Sequence, residues 1–319
     1  MKVSLIVPYR ENDQSFQELL DTVANQKFKD FELILVKNGP EYKSDEKVVE
    51  RLDNVKYKLV RSAKSSLGGY RNDGVELAEG EYVGFLDGDD LLSPYYLEEL
   101  VYGAEKNPGA EIVYGFYTRK ITELMTEKNS DSKVFTLQGK NLIPKLHEFD
   151  STDIRLASVS GWGKLYKTNF IRMIPSVENV LFEDRAVAFE HMYRAGEIVI
   201  VRPEKAIYYY RITDGSIMNS SSNKHGRDIL TASKMSVSSV IADIELKRIV
   251  QHEAVLFALS GQFQNKGISS EIKTEIWDLI KDYMHGNPYF TMKEKIKFSN
   301  RLPFAVNVFL SKVKKSVKN

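Results

Sequence analysis

Three carboxylates stand in four residues at Asp87-Gly88-Asp89-Asp90, directly behind the apolar run from Tyr82 to Leu86. Like charges this close repel one another, so a fold that gathers them at a strand end usually does so for a cation. Carboxylate oxygens suit hard ions such as Mg²⁺ or Mn²⁺. The competing reading is a solvated acidic turn; the buried strand in front of it favours the ion. Gly88 lets backbone approach a ligand closely. Gly68-Gly69 beside Arg71 can bring backbone and a guanidinium to a phosphate, or can form a plain turn.

Other chemistries lack their residues. There is no G-x-x-x-x-G-K-[ST], no G-x-G-x-x-G after the first apolar run, no H-E-x-x-H and no G-x-S-x-G. The sequence contains no cysteine, which excludes disulfides, thiolate metal sites and a cysteine nucleophile. A metal with a diphosphate is the most economical use of what remains.

The elements that must hold these residues alternate. Val3 to Val7, Phe31 to Val36, Val55 to Val60 and Tyr82 to Leu86 read as strands. Ser15 and Glu18 form a capping box, and Phe16, Leu19, Leu20 and Val23 follow at helical spacing. Ser93-Pro94 starts another helix. Strands separated by helices predict a parallel sheet covered on both faces, with ligands at the carboxyl ends of the strands. Ile112 to Tyr117, Ile198 to Val201 and Ala206 to Tyr210 are further strands, with residues 126–133 a polar loop. Residues 219–226 read as a linker and residues 227–285 as helices, which sets a domain boundary near residue 218.

Composition narrows the class. Of 319 residues, 42% are hydrophobic and 28% charged, as in a globular protein of about two domains. Lys and Arg number 45 against 44 Asp and Glu, which gives no global drive toward nucleic acid. The opening apolar run is too short for a signal-peptide core, and no window approaches a membrane span, so the expected location is the cytoplasm.

With these residues in view, the chain resembles the family-two glycosyltransferases, inverting enzymes of the GT-A fold. SLIVPYREN with LLDTVANQKFKDFELILV is similar to that family's first strand, helix and second strand. GGYRNDGVELAEGEYVGFLDGDD is similar to the long signature that ends in its D-x-D motif, and GWGKLYKTNFI, FEDRAVAFE and YYYRITDGSIM resemble its acceptor-side elements in order. The resemblance covers about residues 1–218. It implies an α/β GT-A domain, a Rossmann-like nucleotide-binding sheet, with a donor half over about 1–117 and an acceptor half over about 118–218. Residues 219–319 would form a helical C-terminal region.

The resemblance also implies roles. Asp87 and Asp89 match the D-x-D pair that binds the donor and Mn²⁺ or Mg²⁺, with Asp89 contacting the metal and Asp90 assisting. Asp184 matches the catalytic base, with Glu183 next to it on the acceptor side. Arg71, Arg211 and Ser216 match donor-phosphate elements, and Pro8 matches the proline ending strand one. Lys37-Asn38-Gly39 replaces the usual acidic stretch, leaving the Asn38 amide to read a uracil; Asp13 keeps an acid after the first proline. Trp162 either stacks on an acceptor sugar or packs beneath the site. His191 reads as packed, and His225 as a loop residue or a metal contact carried by a lid.

The implied reaction moves a sugar from a nucleotide-sugar, UDP first in order, to a glycan or lipid-linked glycan hydroxyl in bacterial surface polysaccharide synthesis. A nucleotidyltransferase and a non-catalytic glycan-binding module are the rivals. Residues 291–319 carry eight Lys or Arg against Glu294 alone, with apolar residues at helical spacing. That tail either lies on an anionic membrane surface or docks on the protein or on a second copy in a homo-oligomer.

Overall fold

The structure is a computed structural model; it describes residues 1–10, 13–37, 50–128, 131–146, 155–212, 222–259 and 267–299. The chain divides into two compact units, Met1–Ser216 and Ile217–Asn319.

In the first unit, strands and helices run β1 (Val3–Tyr9), α1 (Gln14–Ala24), β2 (Phe31–Lys37), β3 (Lys56–Arg61), α2 (Leu67–Leu77), β4 (Tyr82–Phe85), β5 (Leu91–Leu92) and α3 (Tyr96–Lys106). They continue with β6 (Ile112–Tyr114), β7 (Tyr117–Thr118), β8 (Lys133–Leu137), α4 (Leu142–Lys145), α5 (Arg155–Val159) and β9 (Lys164–Lys167). The last elements are α6 (Thr168–Met173), α7 (Glu183–Arg194), β10 (Ile198–Arg202) and β11 (Tyr208–Tyr209).

An eight-stranded sheet has the order β3-β2-β1-β4-β9-β6-β10-β8. β3, β2, β1 and β4 are parallel, as the alternating pattern predicts. β1 and β2 are buried along their whole length, which is why they read as mainly apolar runs; the buried Ser4 and Glu32 within them pair with each other at 2.7 Å. β9 then enters antiparallel between β4 and β6. A three-stranded sheet, β5-β11-β7, sits beyond the carboxyl end of β4. The Ile112 to Tyr117 run is therefore two strands in two sheets, broken at Gly115, whose N–H goes to Gly163 O at 2.9 Å.

α1 buries Phe16, Leu19, Leu20 and Val23, the stripe expected of it. Its cap differs: Asp13 Oδ1 accepts the Phe16 N–H at 2.9 Å, so Asp13 and not Ser15 is the N-cap. Such a cap contributes about 1 kcal/mol. α2 packs on β1 through Gly74, where a Cβ would lie 2.4 Å from Ile6.

In the second unit, α8 (Asn223–Ser238), α9 (Ile244–Leu259) and α10 (Ser270–Met284) pack on one another, followed by α11 (Met292–Ser299). Ser222 caps α8, so the stretch read as a linker is already helical from Asn223. His225 is buried in the first turn of that helix beside Ser222 Oγ, at 3.0 Å; it is not a loop residue. No helix among the described residues is long and apolar enough to cross a membrane. The tail beyond Asn300 lies outside the described residues.

Candidate active site

The site forms where β1 and β4 end and β9 begins. β4 pairs with β1 only as far as Ile6↔Phe85, and Leu86 N–H closes on Ile6 O at 3.0 Å. Pro8 lies buried just past this pairing, where its missing N–H costs no ladder bond on that side. The acidic turn follows. Asp87 and Asp89 are half-buried, and Asp90 is fully enclosed.

Arg71, from α2, reaches this turn from inside the protein. It is 2% exposed. Its Nη2 donates to Asp87 Oδ1 at 2.9 Å, and its Nη1 donates to Glu183 Oε1 at 2.5 Å. Gly68 makes that approach practicable: a Cβ there would meet Val177 O at 2.1 Å, so the helix lies against the segment leading into α7. Gly161 serves the same end, since a Cβ would sit 2.8 Å from Arg71 Nη1. The glycines near Arg71 thus allow close packing of protein on protein, in place of the phosphate approach considered for Gly68 and Gly69.

Glu183 and Asp184 open α7, where the helix dipole favours carboxylates. Asp184 Oδ2 accepts the Gly161 N–H at 3.3 Å, and its Oδ1 accepts the Arg185 N–H at 2.7 Å. Burial, with Asp184 alongside, pushes the Glu183 carboxyl up to about 8 against the pull of Arg71. Burial also raises Asp87, again against Arg71. The Arg71 guanidinium is held well above its ordinary value by its carboxylates, against desolvation. Asp90 is pushed up to about 8 by burial and then by Asp87.

Several expectations change here. Arg71 is a buried counterion between two carboxylates, not an open contact for donor phosphate. Glu183 is itself 2% exposed and gives an oxygen to the Arg71 guanidinium, so it does not face an acceptor. Asp13 is exposed and spends one oxygen on its helix cap. Trp162 is 3% exposed and stacks with Tyr208 at 4.8 Å and Tyr210 at 5.2 Å, with Tyr117 edge-on at 5.0 Å. It packs beneath the site and offers no open ring face to a sugar. Arg211 turns its guanidinium to α1, donating to Glu18 Oε2 at 2.6 Å and Ser15 Oγ at 3.2 Å. That pairing explains why Ser15 and Glu18, read as a capping box, are not one. Asn38 and Ser216 lie outside the described residues. His191 is packed as expected, its Nε2 3.1 Å from Ile174 O.

Sequence reasoning missed Lys164. It is 1% exposed, donates to Ser158 O at 3.2 Å and sits over the rings of Tyr114 and Tyr166. Burial lowers it to about 7. The alternation of Lys164 with Tyr166 within β9 is the only local signal, and it does not by itself say that the lysine is covered.

Among the described residues no group of three or more His, Asp or Glu side chains converges on one ion position. Asp87 and Asp89 nevertheless supply hard oxygen donors in a turn with more carboxylates than cations. This suits a small divalent ion that keeps its waters and is bound by one or two carboxylates plus substrate phosphates. A cavity of about 500 Å³ lined by Glu111, Lys167, Asn169, Phe170, Met173, Ile174 and Arg194 lies at the other end of the sheet, where Tyr82 pairs with Lys167.

The sequence matches glycosyl transferase family 2 over residues 4–169. The chain belongs to that family. A curated relative, the GalNAc(5)-diNAcBac-PP-undecaprenol beta-1,3-glucosyltransferase of Campylobacter jejuni, is 27% identical over 79% of this chain and 75% of its own. Three further curated relatives extend past the match: the chain spans 62%, 31% and 34% of their lengths. The fold is shared with TarS 1-349 of S. aureus, solved in complex with UDP-GlcNAc, at a TM-score of 0.66 and 19% identity over 90% of this chain and 82% of that one. It is also shared with the mannosyltransferase PcManGT of Pyrobaculum calidifontis, solved with GDP-Man and Mn²⁺, at a TM-score of 0.53 and 14% identity over 97% and 80%. The α/β sheet of this family-2 chain is thus of the GT-A type, followed by helices.

Proposed function

We propose that the protein transfers a sugar from a nucleotide-sugar, UDP-linked in the first instance, to a hydroxyl of a glycan or lipid-linked glycan, with inversion at the anomeric carbon. The observation that carries this reading is the Asp87–Arg71–Glu183 bridge. It ties the D-x-D turn to the start of α7, so the carboxylate of Asp184 stands beside the donor turn.

Asp184 accepts the proton of the acceptor hydroxyl. The freed oxygen forms a bond to the anomeric carbon as the bond to the diphosphate breaks, and the electron pair leaves with the nucleoside diphosphate. The Gly161 N–H orients the Asp184 carboxylate. A divalent ion held by Asp89 and Asp87 would supply Lewis-acid neutralisation of the leaving diphosphate. In this reading Asn38 reads the base through its amide oxygen, and Arg211 and Ser216 serve the diphosphate. The C. jejuni relative's name and the UDP-GlcNAc of the TarS structure support the acceptor and donor classes. A lipid-linked acceptor would give the basic tail a purpose at an anionic membrane surface; co-sedimentation with anionic liposomes, against a chain ending at Asn300, tests that.

The deciding experiment offers the purified protein a panel of nucleotide-sugars with and without Mn²⁺ and follows release of nucleoside diphosphate. Metal-dependent release from one UDP-sugar, increased by a glycan acceptor, supports the reading. Release from none of the panel, with or without acceptor, overturns it.

A further inference from the structure

Asp90 is the acid of the turn that metal chemistry leaves unexplained. It is 0% exposed. Oδ2 accepts the Tyr208 hydroxyl at 2.5 Å and Oδ1 accepts the backbone N–H of Arg211 at 2.8 Å. The reason lies in the ladder next door. β5 follows the acidic turn and pairs antiparallel with β11, Leu92 against Tyr208 and Leu91 against Tyr209. Alternate residues of the β11 chain face β5: Ile207 O accepts the Ser93 N–H at 2.9 Å. Tyr210 faces the other way, donating to Thr118 O at 2.9 Å. By this alternation Arg211 again faces the β5 side, but β5 has already given way to the turn. The Asp90 carboxylate takes the N–H that a continued strand would have taken with a carbonyl.

That one side chain therefore joins three structures. Its own backbone N–H closes the acidic turn on Asp87 O at 3.3 Å. Its Oδ2 holds Tyr208, whose ring stacks on Trp162, and Trp162 bridges to Phe85 at the end of β4. Its Oδ1 sets the backbone from which Arg211 departs toward α1. A carboxylate with both oxygens hydrogen-bonded in the interior has little left to offer a cation, whereas Asp87 and Asp89 keep exposed surface.

We propose that Asp90 is a positioning residue and not a metal ligand. It fixes the backbone of Arg211 relative to Asp87 and Asp89, so that the guanidinium and the metal-binding carboxylates can meet one diphosphate. This rests on the nucleotide-sugar reading given above.

The test compares Asp90→Asn with Asp90→Ala in the full chain. An asparagine keeps the shape: its oxygen accepts from Arg211, and its amide donates to a Tyr208 hydroxyl that now acts as acceptor. Three quantities are read: exchange protection of the Arg211 amide, the Mn²⁺ dissociation constant, and the dissociation constants of UDP and uridine with Mn²⁺ present. Asp90→Asn is expected to stay within about threefold of wild type in all binding constants and to keep the Arg211 amide protected. Asp90→Ala is expected to lose that protection and weaken UDP by roughly tenfold while leaving uridine unchanged. Tyr208→Phe, which removes one of the two bonds, should weaken UDP by about twofold to fivefold and decides the matter if the alanine variant does not fold. Loss of Mn²⁺ binding in Asp90→Asn would make Asp90 a ligand and overturn the proposal. So would wild-type UDP affinity and Arg211 protection in Asp90→Ala or Tyr208→Phe. If wild-type protein binds no nucleoside diphosphate, the site reading fails instead, while the Arg211 amide in the two Asp90 variants still decides the role of Asp90.

Discussion

Arg71 and Glu183 lie 112 positions apart in sequence and meet at 2.5 Å, each 2% exposed. The second arm of the same guanidinium holds Asp87. A planar fork can serve two carboxylates at once; an ammonium cannot hold the same geometry. The pair is thus a strut between the turn expected to hold the donor and the helix start expected to hold the base.

Arg71→Ala leaves buried carboxylates without their counterion and should cost about 3–5 kcal/mol of stability. Arg71→Lys should fall between it and wild type. Denaturant unfolding followed by circular dichroism measures both; a loss below about 1 kcal/mol in the alanine variant would remove the strut from the account.

Asp184→Asn should keep donor binding and lose turnover by roughly 10²–10⁴-fold, the range of a general base. Asp89→Asn should instead abolish the response of transfer to Mn²⁺. Calorimetric titration with Mn²⁺ and UDP beside steady-state rates separates the two. Near wild-type transfer in Asp184→Asn would move the base elsewhere.

Arg211 and Glu18 give a pair of opposite signs. Arg211→Ala should weaken nucleoside diphosphate more than nucleoside, because a cation facing a diphosphate makes charge-assisted bonds. Glu18→Gln frees the guanidinium from its 2.6 Å partner and should tighten the same ligand by a few-fold. Equal affinity in both variants would mean that Arg211 does not read phosphate.

Lys164 makes stability depend on pH. Its folded value is about 7 against an ordinary 10.5, so between these the unfolded chain binds a proton that the folded chain lacks. Stability therefore rises with pH in that window, by at most about 1.4 kcal/mol per unit. Asp90 and Glu183, held near 8, act in the opposite sense below that value, because there the folded chain keeps protons the unfolded chain has lost. The clean interval is about pH 8 to 9.5. Thermal unfolding there should show a positive slope in wild type and a flatter one in Lys164→Met; parallel slopes would show that Lys164 stays charged.

The parallel half of the sheet was legible because β1 and β2, buried on both faces, hold apolar residues at most positions. The D-x-D turn was legible because it breaks so buried a run. β9 was not: KLYK carries lysines at both ends, and nothing local says that Lys164 is covered while Lys167 reaches a carbonyl at the surface. Arg71 was misplaced for a similar reason. A basic residue beside a glycine pair reads as a phosphate contact unless the carboxylates that neutralise it are known, and these arrive from positions 87 and 183. The N-cap of α1 went to Asp13 because aspartate caps as well as serine, and the serine was required two residues later for Arg211.

β9 also governs the order in which the molecule can be made. β4 and β6 are not neighbours; residues 164–167 stand between them. A nascent chain that ends near residue 117 has β4 and β6 facing a gap, and that gap cannot close until the ribosome has released about fifty more residues, those separating β6 from β9. A chain cut near residue 150 would present those edges to other chains. Synthesis exposes the same surface for a few seconds in every copy, which makes this interval the point at which a chaperone has most to shield.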